Sequence, residues 1–281
     1  MDDAQAFRKQ SRQAWGAVAG GWGTHGVRFG ELAMPVTTWM VEAAHLQPGH
    51  EVLELAAGPG DVGYLALELI QPGGSLITSD FSPEMLTVAQ ERAAELGVSG
   101  VRFKQIDAES IDIEAASLDA VLCRWGYMLM ADPGAALRET RRVLRPGGRL
   151  ALAAWTSPQE NRWSSVVGEV LIARGLAEPP APGTPGQFAW GAPGTIEAQL
   201  EEAGFVDDVE VDAVEFEVRQ TFEAWWDRTL EMSQQVRAVL GLPDAEQAAI
   251  RDELRDRLAE YDDGDGTLVI PARSWVAAAS A

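Results

Sequence analysis

Residues 52 to 63 read Val-Leu-Glu-Leu-Ala-Ala-Gly-Pro-Gly-Asp-Val-Gly, and the fold of the chain follows from them. Val52, Leu53 and Leu55 form the apolar run of a short strand covered on both faces. Gly58 and Gly60 remove side chains where the backbone must turn sharply beside a ligand. Asp61 is then expected to cap a helix, because Val62, Leu65, Ala66 and Leu69 recur at helical spacing. A strand ending in an acid, a glycine turn and a helix start together describe the carboxyl end of a strand in an open α/β sheet, where such sheets bind ligands.

Gly58-x-Gly60-x-x-Gly63 is also the literal dinucleotide pattern, and Asp80 follows at about the spacing of a ribose-binding acid. The charges argue against a pyrophosphate. Glu54 ends the strand, Asp61 follows the second glycine, and no Lys or Arg occurs from Phe29 to Glu91. S-adenosylmethionine carries a sulfonium and an ammonium and no phosphate, so two carboxylates attract it where they repel a dinucleotide.

Four further stretches follow in order: Thr-Ser-Asp-Phe-Ser-Pro-Glu-Met-Leu around Asp80, Gln-Ile-Asp-Ala-Glu around Asp107, Leu-Asp-Ala-Val-Leu-Cys-Arg-Trp ending at Trp125, and Arg-Val-Leu-Arg-Pro-Gly-Gly-Arg-Leu ending at Leu150. With the first stretch, they make residues 45 to 156 resemble the class I S-adenosylmethionine-dependent methyltransferases, in particular the small-molecule, ubiquinone/menaquinone-methyltransferase-like ones. The resemblance implies Asp80 at the ribose hydroxyls, Asp107 and Ala108 at the adenine edge, Met85 against the adenine ring, and Phe81 among the cofactor-binding residues. Glu54, Ala56, Gly58, Gly60 and Arg124 would complete the cofactor site, with Trp22 brought over it by an N-terminal segment that commonly folds across the cofactor in this family. Ala56 stands where the family often has its first glycine; a methyl group there is small.

The fold class implied is α/β: a Rossmann-like doubly wound seven-stranded sheet with its last strand antiparallel, plus helical cap insertions. The whole of residues 1–281 then forms a single methyltransferase domain. Residues 2 to 20 are expected as a helix, with the glycines from Gly20 to Gly30 breaking the chain into a mobile lid over residues 1–30. Residues 156–194, with a Pro/Gly-rich stretch, and 221–264, with helices at 222–240 and 244–261, are the expected caps.

Composition bounds the partners. The chain has 43 acidic against 22 basic residues and a formal charge of -21, which disfavours nucleic acid and anionic membranes. The lone Cys123 excludes an intrachain disulfide, and no metal site is expected; the Asp262–Gly266 run lacks the full spacing of a calcium loop. The acidic start has no signal-peptide pattern, so a cytoplasmic location is expected.

The implied reaction is methyl transfer from S-adenosyl-L-methionine to an O, N or C nucleophile of a small molecule. Trp125, Trp190, Trp225 and Trp226 are the expected acceptor walls. His25 and Tyr127 are the candidates for a proton acceptor. An NAD(P)-dependent oxidoreductase would use the same glycines, and a non-catalytic cofactor-binding module would use the same fold.

Overall fold

The computed structural model describes residues 3–234 and 236–281. Strands β1 (Glu51–Glu54), β2 (Ser75–Asp80), β3 (Val101–Gln105), β4 (Leu118–Arg124), β5 (Leu144–Trp155), β6 (Asp207–Thr221) and β7 (Thr267–Ser280) form one sheet in the order β3-β2-β1-β4-β5-β7-β6. The first five pair in parallel, and β7 runs antiparallel to both β5 and β6, so the last strand is reversed as the sequence implied. The chain winds outward from β1 to β3 and then returns to β4 on the other side of β1. This reversal opens a crevice at the carboxyl ends of β1 and β4.

Helices α1 (Asp3–Leu32) and α2 (Met34–Ala43) precede the sheet. Helix α3 (Asp61–Ile70) buries Val62, Ala66, Leu67 and Ile70; of the expected stripe Val62 and Ala66 are buried, Leu65 is half-buried and Leu69 faces out, because the buried face is turned toward Leu67 and Ile70. Helix α4 (Pro83–Leu96) starts at Ser82, whose hydroxyl accepts the Met85 N–H at 3.3 Å, with Pro83 in the first turn and left-handed Gly97 at its end. Helices α5 (Pro133–Val143), α6 (Arg162–Ala173) and α7 (Thr195–Glu202) follow, and α8 (Phe222–Met232), α9 (Arg237–Leu240) and α10 (Asp244–Leu258) are inserted between β6 and β7. No helix among the described residues is long and apolar enough to cross a membrane.

Three local expectations are corrected. Asp61 does not cap α3: Gly60 holds the N-cap position with φ 87°, and no side chain caps the helix. The expected helix 222–240 stops at Met232 and resumes at Arg237; Gln235 lies outside the described residues. The glycines from Gly20 to Gly30 do not break the chain, because α1 runs through them for 30 residues; residues 1 and 2 of the expected lid are outside the described residues.

A mid-helix glycine costs about 1 kcal/mol relative to alanine, and packing offsets that cost here. A Cβ on Gly21 would lie 2.4 Å from the Glu231 carbonyl oxygen on α8, one on Gly26 2.7 Å from Pro59 Cγ, and one on Gly30 2.4 Å from Asp61 Oδ2. The bare face lets α1 lie directly on the glycine turn and on the cap. At its other end Arg8 Nε donates to Glu109 Oε2 at 2.7 Å. The helix thus spans from the loop after β3 to the turn after β1, across the mouth of the crevice.

The cap hangs on a long hairpin. Strand β6 pairs with β7 from Thr221↔Thr267 to Asp207↔Ser280, whereas β5 pairs with β7 only over Ser274–Ser280. From Thr267 to Arg273 the hairpin is therefore a two-stranded ribbon. Where it leaves the sheet, Asn161 Oδ1 accepts the Arg273 N–H at 3.1 Å and Arg273 Nη1 meets Glu160 Oε1 at 2.6 Å.

Candidate functional site

Gly58 has φ 52° and Gly60 φ 87°, both left-handed, as the turn after β1 requires. The two glycines differ in what they face. A Cβ on Gly60 would strike the Tyr64 ring at 2.5 Å, while one on Gly58 would meet nothing within 4 Å. Gly58 therefore opens onto free space above the crevice, and Gly60 serves packing. Ala56 is left-handed too, at φ 50°. Its departure from glycine is thus a conformational cost, of order 1 kcal/mol, and not only a matter of methyl size. Its Cβ lies beside Gly126, at the end of β4.

Asp80 closes β2 with Oδ2 accepting the Gly58 N–H at 3.2 Å and Oδ1 the Ser82 N–H at 2.9 Å. Burial pushes its carboxyl up to about 6, against the pull of those N–H bonds. Each oxygen has a second lone pair, so the same carboxylate can hold the turn and still accept hydroxyl donors. Asp107 accepts the Glu109 N–H at 3.0 Å and stays half-buried, with Ala108 buried behind it. Ala56, Ala57, Gly58, Phe81 and Asp107 form a half-buried rim around one cradle. The open space over Gly58 and the two acids at successive strand ends fit an adenosyl group. They offer no lysine or arginine for a pyrophosphate.

The charge reading of the turn is corrected. Glu54 is 2% exposed and turns under α3, near Thr78 Oγ1 at 3.4 Å and bonded to the Gly63 N–H. Burial drives its carboxyl up to about 8, so at neutral pH it is mostly uncharged and does not face the cradle. Asp61 is also pushed up by burial, and the Arg124 guanidinium 3.6 Å away opposes that shift. Arg124 donates to Thr37 Oγ1 at 2.6 Å and is spent on this packing, not aimed at a ligand. A cation missing from the local sequence is thus delivered by β4, and the turn is close to neutral.

Met85 is buried with Val18, Ala19 and Val88 in the seam between α1 and α4, not on the cradle. Trp22 packs in the same seam between Trp15, 6.2 Å away, and Phe29, 5.9 Å away. It also lines a groove of about 290 Å³ with Val27, Pro59 and Val88. Tyr127 is corrected as a proton acceptor. It is 1% exposed, its hydroxyl is bonded to Thr140 Oγ1 on α5 at 2.6 Å, and burial raises its pKa well above normal. His25 faces α8, with Nε2 3.3 Å from Glu231 Oε2. These two groups are not brought together.

Of the expected tryptophan walls, Trp125 alone reaches the rim by the cradle. Its ring stacks on Trp155 with centroids 4.1 Å apart and planes at 16°, and its Nε1 donates to Ser274 Oγ at 2.9 Å. Trp190 stacks on the buried Tyr127, and Trp225 is fully buried with Nε1 donating to the Trp163 carbonyl at 2.8 Å. Trp226 is buried beside it. Two further aromatics join Trp125 and Trp155: Phe29 lies 5.6 Å from Trp125, and Trp163 lies 5.2 Å from Trp155. The Trp15, Trp22, Phe29 spacing of seven residues was the available signal, since it marks one helical face.

Residues 46–169 match the family described as "Methyltransferase domain". With the reversed seventh strand, that match supports a class I S-adenosylmethionine-dependent methyltransferase. The chain is 34% identical over 119 residues to the ubiquinone/menaquinone biosynthesis C-methyltransferase UbiE of Cellvibrio japonicus, which is 42% of this chain and 48% of that protein. The match thus spans about half of that relative. Among solved structures, a putative methyltransferase of Bacillus halodurans has a TM-score of 0.57 at 22% identity, covering 87% of this chain and 97% of that one. A Haemonchus contortus phosphoethanolamine N-methyltransferase 2, in complex with S-adenosyl-L-methionine, has a TM-score of 0.53 at 18% identity, covering 87% of this chain and 52% of that one. These structural likenesses show the fold.

Proposed function

We propose that this protein transfers the methyl group of S-adenosyl-L-methionine to a nucleophile on a small molecule. The observation that carries the reading is the cradle itself: the open face of Gly58 between Asp80 and Asp107, inside a matched methyltransferase domain. Asp80 would accept the ribose hydroxyls, Asp107 and the Ala108 backbone would meet the adenine edge, and Phe81 would lie against the ring. Bound there, the cofactor supplies an activated methyl group together with its own leaving group.

The chain's part is then to position and enclose. Helix α1 closes the cradle from above through Pro59, Asp61 and Glu109, which keeps water from the reacting atoms. Holding two partners at near-attack distance supplies about 7 kcal/mol or more of the barrier reduction. With Tyr127 spent on Thr140 and His25 turned to Glu231, this reading uses no side-chain base, so the nucleophile arrives already deprotonated or intrinsically reactive. A formal charge of -21 favours small guests over polyanions.

Two measurements test the reading. Calorimetric titration should show S-adenosylhomocysteine binding and no binding of NAD(H) or NADP(H), which the near-neutral turn does not hold by its phosphates. Labelled methyl groups should then pass from the cofactor to members of a small-molecule panel. Dinucleotide binding would return the chain to the oxidoreductase reading, and cofactor binding without any transfer would return it to a binding module.

A further inference from the structure

Arg228, on α8, is a cation in an apolar place. It is 4% exposed, and its Nε and Nη2 have no hydrogen-bond partner. Among the described residues no carboxylate forms an ion pair with it: Glu231, three residues further on, faces His25, and Glu223, five residues back, pairs with Arg251 and Arg255. What surrounds the guanidinium is aromatic. Its Cζ lies 5.5 Å from the Phe29 centroid and 5.4 Å from that of Trp163. Ring faces attract a cation, yet they satisfy none of its N–H donors.

The rings lead to the glycine turn. Phe29 and Trp163 are 5.4 Å apart and continue into the stacked pair Trp125 and Trp155. Phe29 adjoins Gly30, which lies on Asp61, and Trp125 adjoins Gly126, which lies on Ala56. A flat guest among these rings would therefore sit beside the cofactor turn. The two unpartnered donors of Arg228, Nε–H and Nη2–H, are the edge of the guanidinium that meets both oxygens of a carboxylate at once.

We propose that Arg228 is the recognition residue for a carboxylate on a planar aromatic methyl acceptor, whose ring lies among Phe29, Trp125, Trp155 and Trp163. This rests on the methyl-transfer reading and narrows its substrate to aromatic acids. An unpaired buried charge disfavours the empty fold, and a carboxylate removes that penalty on binding. Burial alone depresses the Arg228 pKa to about 10, so the side chain remains a cation at neutral pH. Because the guanidinium is buried, entry requires α1 or the α8 cap to lift.

The test is calorimetry on the full chain saturated with S-adenosylhomocysteine. Benzoate, cinnamate, 2-naphthoate and indole-3-carboxylate are each titrated beside the matching neutral amide. At least one acid should bind tenfold or more tighter than its amide. That preference should vanish in Arg228→Gln and Arg228→Met, and Arg228→Met should melt at or above the wild-type temperature. If no acid outbinds its amide in the wild type, or if either variant keeps the preference, the proposal is overturned. If Arg228→Met melts well below the wild type, the guanidinium supports the fold and the proposal is likewise overturned. Binding of S-adenosylhomocysteine alone reports separately on the methyl-transfer reading, and its loss would sink both.

Discussion

Adjacent glycines in α1 give a sharp test of how this helix lies. Gly20 and Gly21 share one helix, so replacing either by alanine gains about 1 kcal/mol of helix propensity. Their surroundings are opposite. A Cβ on Gly20 meets nothing within 4 Å, whereas one on Gly21 falls 2.4 Å from the Glu231 carbonyl oxygen and 2.5 Å from its carbon, both backbone atoms that cannot rotate away. Relieving that overlap means shifting α1 or α8 by about 1 Å, and overpacking of this kind costs about 1 to 3 kcal/mol. Gly20→Ala should therefore stabilise the protein by about 1 kcal/mol, and Gly21→Ala should fall below it by about 1 to 3 kcal/mol. A chain of this size converts each kcal/mol to about 2 to 4 °C of melting temperature. Thermal denaturation by circular dichroism, run on both variants in parallel, reads the difference directly. Equal melting temperatures would refute the direct packing of α1 on α8, and with it the enclosure of the cradle by that helix.

Asp80→Asn should weaken S-adenosylmethionine binding by about 1.5 to 3 kcal/mol, the worth of charge-assisted bonds to hydroxyls; unchanged affinity by calorimetry would remove Asp80 from the site. Glu54 has a folded-state carboxyl raised from 4.5 to about 8, so the stability it contributes is full below about pH 4.5 and declines as pH rises to about 8. Glu54→Gln, which mimics the protonated acid, should gain on the wild type across that window, and parallel melting curves from pH 5 to pH 9 would contradict the upward shift of the buried carboxyl. Trp225→Ala should cost about 3 to 5 kcal/mol of stability and harm cofactor and acceptor binding alike. Selective loss of acceptor binding would instead make Trp225 a substrate wall. Tryptic cleavage at Arg8, Lys9 and Arg12 should slow when S-adenosylhomocysteine is bound under α1, and an unchanged rate would detach α1 from the cradle.

Strands β1 and β2 were legible because they are short apolar runs, each ended by an acid that marks the carboxyl edge. Val52–Gly63 and Asp80 needed no tertiary information. The turn's electrostatics did not yield to the same reading, because Arg124 reaches Asp61 from β4 and burial neutralises Glu54. Local sequence carries neither fact. Helix α1 was misjudged for the converse reason: glycine disfavours helix by local propensity, and close packing against Pro59, Asp61 and Glu231 overrides it. Tyr127 looked available at the end of β4 and was claimed by Thr140 on a helix that the sequence could not place beneath it.

The β6–β7 hairpin ties the cap to the sheet by burial as well as by pairing. Past the point where β5 ends its pairing, Val218, Leu268, Ile270 and Ala272 are still buried, so the two-stranded ribbon is wedged between its neighbours. The clamp at Asn161, Glu160 and Arg273 secures the point of departure. Asp80 and Gly58 belong to the other, parallel half of the sheet. Cap and cofactor turn therefore rest on different parts of one sheet, and damage at Ile270 is felt first by the cap.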